Sequence, residues 1–206
     1  MGRLLGVEII PTILLVATTN PGKVREIRLT LAGLPLGLRF LADLPVVAEP
    51  QETGRTCAEN ARLKAVYYAG VSGLPTVAED SGLAIDALGG RPGVESARYP
   101  GATYAEKFAG LYRELGPHAR PWHARFICAL AYVAQGDAPA FETEATVEGE
   151  IAPQPRGQYG FGYDPIFFYP PYGSTLGEVD DAKKLAVAHR GKAFRAFRRW
   201  LERARA

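Results

Sequence analysis

Hydrophobic and polar positions along the chain fall into blocks whose period changes. Ile13 to Ala17 is an unbroken apolar run, the pattern of a strand buried on both faces. Thr18 to Lys23 reads as a turn; Val24, Ile27 and Leu31 then recur at helical spacing, and Gly33 supplies a stop. In "TCAENARLKAVYYAG", Thr56 and Glu59 form a capping-box pattern, and the helix it opens sets Asn60 and Lys64 four apart on one face. "PTVAEDSGLAIDALGG" reads as a strand, a tight turn at Ser81-Gly82 and a second strand. "TYAEKFAGLYREL" repeats the capping box with Thr103 and Glu106, above a stripe of Tyr104, Phe108, Leu111 and Leu115. "ARFICALAYVA" and "AFETEATVEGEI" predict paired strands joined at "QGDAP". "PQPRGQYGFGYDPIFFYPPYG" predicts mostly loop, and the pattern from Asp180 to Ala204 is helical with an interruption near "HRGK". Strands alternate with helices early and a hairpin follows, so the expectation is an α/β fold on a mixed sheet.

The 206 residues suit one domain, and a net charge of +2 argues against a general nucleic-acid binder. No apolar run reaches the ~20 residues of a membrane span. The apolar N-terminus "MGRLLGVEIIPTILLVAT" is broken by Glu8 and Pro11, so its end is read as the first core strand, with residues 1–12 a possible extension. The compartment expected is the cytoplasm. Cys57 and Cys128 form no CxxC and predict neither a disulfide framework nor a structural zinc site.

Glu79 and Asp80 interrupt an apolar run, where a carboxylate is costly unless something pairs with it. Magnesium takes oxygen ligands, commonly one or two carboxylates plus substrate phosphates, and a carboxylate beside it can orient or deprotonate water. An exposed turn would explain the same pair. Thr18, Thr19, Asn20, Pro21, Gly22 and Lys23 follow a buried strand and open a helix, a setting that suits an anion, although a capped turn with a surface lysine looks alike. "GQYGFGYDPIF" sets Phe161 and Tyr163 among glycines, with Asp164 at a turn, and offers rings on which a base can stack. Lys184, His189 and Arg190 could bind phosphate or base edges, or end a helix in solvent. Arg195, Arg198, Arg199, Arg203 and Arg205 extend that basic run and are the only support for an RNA-binding module.

Taken together, "ATTNPGK", "TCAENARLKA", "AEDSGLAIDALGGRPGVESARY", "GFGYDPIF" and "AHRGKA" stand in an order and at spacings that closely resemble the inosine triphosphate pyrophosphatase family, from Leu14 to about Ala204. The resemblance implies a long mixed twisted sheet with flanking helices, and two lobes around a nucleotide-binding cleft, in one two-lobed domain over residues 1–206. It implies a homodimer that hydrolyses ITP, dITP and XTP to the monophosphate and pyrophosphate with magnesium, cleansing the nucleotide pool. A relative acting on modified pyrimidine triphosphates is the alternative enzyme. Carried over by position, Thr18 to Lys23 match the triphosphate loop, with Lys64 a further phosphate contact. Asp80 matches the general base and metal-associated carboxylate, and Ser81 a substrate contact. Phe161, Gly162, Tyr163 and Asp164 match the base-binding loop, and Lys184, His189 and Arg190 the residues that close on the nucleotide. In "AEPQETG", Gln51 stands where the family often has an acid, which leaves Glu52, Glu49 or neither as the second metal ligand.

Overall fold

The computed structural model describes residues 11–204, so most of the expected N-terminal extension, residues 1–10, lies outside it. The first apolar run is strand β1 (Ile13–Val16), followed by helix α1 (Pro21–Leu31) and strand β2 (Gly37–Phe40). Helix α2 (Cys57–Ser72) leads into β3 (Thr76–Ile85) and a two-residue strand β4 (Pro92–Gly93). Helix α3 (Tyr104–Leu115) precedes the long hairpin of β5 (His123–Val133) and β6 (Phe141–Ile151). Short strands β7 (Phe167–Tyr169) and β8 (Ser174–Thr175) follow, then helices α4 (Asp181–Val187) and α5 (His189–Arg203).

Both capping boxes form: Thr56 Oγ1 accepts from Glu59 N at 3.1 Å and Thr103 Oγ1 from Glu106 N at 3.2 Å, with each glutamate returning to the cap. Two sequence expectations, on the turn before α1 and on Ser81-Gly82, are corrected. Pro21 already begins α1, capped by Asn20, whose Oδ1 accepts from Lys23 N at 3.1 Å, so the turn before it is shorter than expected. The interruption expected near "HRGK" is present: α4 ends and α5 begins around Ala188, directly before that segment. Ser81-Gly82 is no turn: β3 runs straight through it, because β5 pairs with all of its residues, Ser81 opposite Cys128 and Gly82 opposite Ile127.

Among the described residues, eight strands make one mixed sheet in the order β2-β1-β3-β5-β6-β7-β8, with β4 attached to β3. β1 lies parallel to β2 and β3; the remaining pairings are antiparallel. One edge of β3 is fully paired to β5. Its other edge meets β1 only at Thr76 and Val77, and β4 only at Leu83 and Ala84. Between them Ala78 to Gly82 has no strand partner on that edge among the described residues, and the sheet opens into a cleft there.

The pleat sends alternate β3 side chains to opposite faces. On one face Ala78 packs with Ala61, Ala65 and Tyr68 of α2. On the other Val77 joins Leu14, Val16 and the α5 residues Phe194, Phe197 and Leu201. Beyond the cleft Leu83 and Ile85 belong to a third core with Phe108, Leu111, Phe126 and Phe167. No helix among the described residues is long and apolar enough to cross a membrane.

Gly82 is required by close approach: a Cβ there would overlap the Gly93 carbonyl oxygen. Gly82→Ala is expected to push β4 off β3 and destabilise the protein by about 1–3 kcal/mol. Gly70 of α2, where a Cβ meets nothing within 4 Å, should gain up to about 1 kcal/mol as Gly70→Ala. Urea unfolding of both variants checks the contrast.

Candidate active site

Glu79, Asp80 and Ser81 lie on the open stretch of β3, and the pleat divides them. Asp80 faces α2. There Lys64 Nζ lies 3.0 Å from Asp80 Oδ1 and 2.7 Å from Glu52 Oε1. Arg98 Nη1 holds Glu52 Oε2 at 2.9 Å, and Asn60 Nδ2 reaches Asp80 Oδ2 at 3.5 Å. Asn60 is fixed in turn, since its Oδ1 accepts from Gly54 N at 2.8 Å. The helical spacing of Asn60 and Lys64 thus delivers both to one carboxylate. Burial works against the Lys64 ammonium, but Asp80 and Glu52 outweigh it and hold its pKa above the usual lysine value. Burial likewise opposes the charge on Glu52, and Lys64 and Arg98 overcome it, lowering that pKa. Cys57, at the start of α2, has its thiol pushed up to about 12 by burial and then by the Asp80 charge, so it is no nucleophile.

Glu79 and Ser81 face the opposite way, into a buried chain of alternating charge. Lys23 Nζ pairs with Glu79 Oε1 at 2.8 Å, and Arg190 Nε lies 3.3 Å from the same oxygen. Arg190 Nη1 meets Glu26 Oε2 at 2.7 Å, and Nη2 donates to Ser81 Oγ at 2.9 Å. Glu26 Oε1 lies 2.6 Å from Lys184 Nζ, an ion pair without hydrogen-bond alignment, and Lys184 also holds Asp164. Asp164 Oδ2 accepts from Phe161 N at 2.7 Å. The chain joins the first turn of α1 to the aromatic loop, and its three acids balance its three bases.

Burial opposes ionisation of Glu79 and Glu26, yet in each case Arg190 leads a set of cations that outweighs it, Lys23 assisting at Glu79 and Lys184 at Glu26. Both pKa values fall below the ordinary one. Asp164 goes the other way: burial dominates over Lys184 and raises it. Burial, reinforced by Arg190 and Lys184, lowers the His189 pKa well below the usual value and keeps the ring neutral. His189 stacks on Phe126 at 4.8 Å between centroids, and its buried Nδ1 has no hydrogen-bond partner among the described residues.

Two adjoining cavities meet at Asn20, Lys23 and Ala97. One, of about 440 Å³, carries Thr18, Thr19, Glu49, Gln51, Glu52 and Lys64 on its walls. Glu49 lines it, but Glu52 is the acid that reaches Lys64. The other, of only about 90 Å³, is walled by Ser81, Phe161, Tyr163, Lys184, His189 and Arg190, among others. That is well below the ~300–1,000 Å³ of small-molecule sites. The Phe161 ring narrows it: a Cβ on Gly22 would overlap that ring, and Lys184 Nζ stands 4.6 Å from its centroid. Tyr163 is a fixed wall, edge-on to Tyr104 at 5.4 Å, with its hydroxyl donating to Ser96 O at 2.7 Å. A larger cavity, about 960 Å³, lies between α1, α4 and α5 near Tyr159. Of the residues singled out from sequence it carries only Arg195 and Arg198 of the basic run, and the converging charges make the smaller pair the candidate site.

The structure therefore brings most of the sequence-picked residues to these two cavities; Pro21 and Gly22 instead begin the helix that carries Lys23, and Asp80 lines neither cavity but pairs with Lys64, which does. Sequence reasoning missed Glu26 and Arg98. Glu26 lies beside Ile27 in the α1 stripe, and its complete burial is the only unusual thing about it. Glu79 was noticed but given no partner.

The sequence model of the Ham1 family matches residues 14–200. A dITP/XTP pyrophosphatase of Thermus thermophilus is 48% identical over 185 residues, covering 88% of this chain and 87% of that protein. One from Geobacillus kaustophilus is 46% identical over 183 residues, covering 87% and 89%. The solved structure of a HAM1 protein from Coxiella burnetii superposes with a TM-score of 0.83 at 37% identity, covering 93% of this chain and 98% of that one.

Replacing Arg190 by Met should strand Glu26 and Glu79 and cost about 3–5 kcal/mol at pH 7. Arg190 lowers both folded-state pKa values, so the stability it lends is complete above about pH 4.5, the ordinary carboxylate value, and fades as pH falls toward the folded values. The gap between wild type and Arg190→Met, read from urea midpoints, is expected to narrow steadily below about pH 4.5.

Proposed function

This chain belongs to the Ham1 family, and on that footing we propose that it hydrolyses abnormal purine nucleoside triphosphates, ITP, dITP and XTP, to the monophosphate and pyrophosphate. The observation that carries this reading is the division of chemistry at the open edge of β3. Cations and carboxylates gather at one cavity, and an aromatic ring, donor side chains and a neutral imidazole with an unpaired nitrogen gather at the next. A nucleoside triphosphate has the same two halves. The cleft between the two ends of the sheet acts as the junction of two lobes in one catalytic unit.

In this reading the triphosphate lies along Thr18 to Lys23 and Lys64, which neutralise charge. Asp80 orients a water and takes its proton as the water oxygen bonds to the α-phosphorus. The bond to the bridging oxygen breaks and its electron pair leaves with pyrophosphate, so no covalent enzyme intermediate is needed. Glu52 and Asp80 are hard oxygen donors that already converge on a cation, the Lys64 ammonium, and so fit a divalent metal such as magnesium. Among the described residues no three His, Cys, Asp or Glu side chains gather to hold one, so such an ion would take its other ligands from phosphate and water. When bound it supplies charge neutralisation on the phosphates.

Selectivity follows from what the base cavity presents. Lys184 and Arg190 carry only donors. Hypoxanthine and xanthine offer an acceptor oxygen at C6, where adenine has a donor amino group. Guanine shares the oxygen, and its 2-amino group must be refused by shape. Entry of any base requires the Phe161 ring to give way, after which it is placed to stack. The resemblance also implies a homodimer, which sedimentation equilibrium tests.

Steady-state kcat/KM with magnesium is expected to rank ITP, dITP and XTP high, GTP low and ATP, CTP and UTP lowest. ATP within tenfold of ITP overturns the assignment, and pyrimidine turnover above ITP favours the other enzyme class. Asp80→Asn should lower kcat by about 10²- to 10⁴-fold with little change in KM, and near-normal turnover of the folded variant removes Asp80 from the chemistry.

A further inference from the structure

The two carboxylates assigned to the metal have their oxygens already engaged. Glu52 Oε1 and Asp80 Oδ1 share the Lys64 ammonium, Glu52 Oε2 takes Arg98, and Asp80 Oδ2 takes Asn60. Lys64 and Arg98 also line the cavity that would receive the triphosphate. We propose that Lys64 is an internal placeholder cation: in the free protein it occupies the position between Glu52 and Asp80 that a divalent ion takes over, and it moves to the phosphates when the nucleotide arrives.

The physical case rests on exchange of partners. Two carboxylates that close together need positive charge between them, and lysine, a point charge on a flexible stem, can supply it and then leave. Lys64 is suited to this because it lines the cavity wall with its side chain 12% exposed, whereas Lys184 and Arg190 of the opposite network are 2% exposed and locked; Lys23 of that network, 19% exposed, serves Glu79 and not the Glu52–Asp80 pair. An ion approaching the free protein must displace the ammonium and leave it without an acceptor. An ion arriving with a triphosphate provides new acceptors for both Lys64 and Arg98. Metal and nucleotide therefore bind with positive coupling, and by linkage each tightens the other. Lys64 has two roles in turn, holding the carboxylates apart from metal in the free protein and holding phosphate in the complex. This rests on the assignment of Glu52 and Asp80 as the metal carboxylates, and the test separates the two ideas.

The experiment is Mn²⁺ binding to the nucleotide-free protein, counted by electron paramagnetic resonance of the free ion, with folding checked by circular dichroism. Lys64→Met should bind Mn²⁺ at least about tenfold more tightly than wild type, and Lys64→Met with Asp80→Asn should lose that gain. Arg98→Ala, at a half-exposed position that leaves the fold intact, should tighten binding by a smaller factor because it frees only one oxygen of Glu52. Lys64→Gln is the substitute if Lys64→Met does not fold. Equal Mn²⁺ affinity in wild type and the Lys64 variants, abolished in both by Asp80→Asn, overturns the placeholder while keeping the carboxylate site. Binding indifferent to Asp80→Asn in every background overturns the carboxylate assignment, and the placeholder with it.

Discussion

Consecutive residues on a β-strand must point to opposite faces, and the site depends on that constraint. Glu79 and Asp80 are chemically alike and adjacent, yet the pleat assigns one to the α1–α5 side and the other to the α2 side. Each then acquires a different set of cations. Glu79 is locked between Lys23 and Arg190 and serves structure; Asp80 keeps a partner that can leave. The division works because β3 is paired along its whole length to β5 while its other edge stays open for five residues. A strand paired on both edges would have closed the cleft, and one paired on neither would not have held its register.

The buried charge chain converts this local arrangement into a connected one. Glu26 on α1 touches both Arg190 at the start of α5 and Lys184 on α4, and Lys184 touches Asp164 beneath the aromatic loop. Hence α1 cannot shift without moving the walls of the smaller cavity beside Phe161. Such a network adds little net stability compared with an apolar core of equal volume, because desolvation cancels most of the attraction. Its contribution here is a fixed spatial relation between the start of α1 and the aromatic loop, which lie far apart in the chain.

Much of this was legible in the sequence, and the exceptions have physical causes. The capping boxes at Thr56 and Thr103, the strand at Ile13 and the β5–β6 hairpin are set by local chemistry and were read correctly. Ser81-Gly82 was misread because a serine-glycine pair is a turn signal only when nothing else needs the glycine; here the carbonyl of Gly93 needs it. Glu26 was invisible because a glutamate inside an amphipathic helix looks like a surface residue until its distant partners, Lys184 and Arg190, are brought to it. Lys64 and Asn60 were placed on one face by their spacing, but that both would converge on Asp80 depended on how α2 lies across β3.

The two cysteines bear on how the protein meets an oxidising environment. Each sits behind one of the two adjacent acids: Cys57 beside Asp80, and Cys128 with its Sγ 3.5 Å from Glu79 Oε2. Both are buried, and burial together with the neighbouring carboxylates keeps them protonated. With its pKa pushed up to about 12 the Cys57 thiol stays protonated at pH 7, and only the thiolate reacts readily with peroxide or disulfides. The same negative charge that gathers cations for the cleft thus disfavours the reactive thiolate at both of its sulfur atoms.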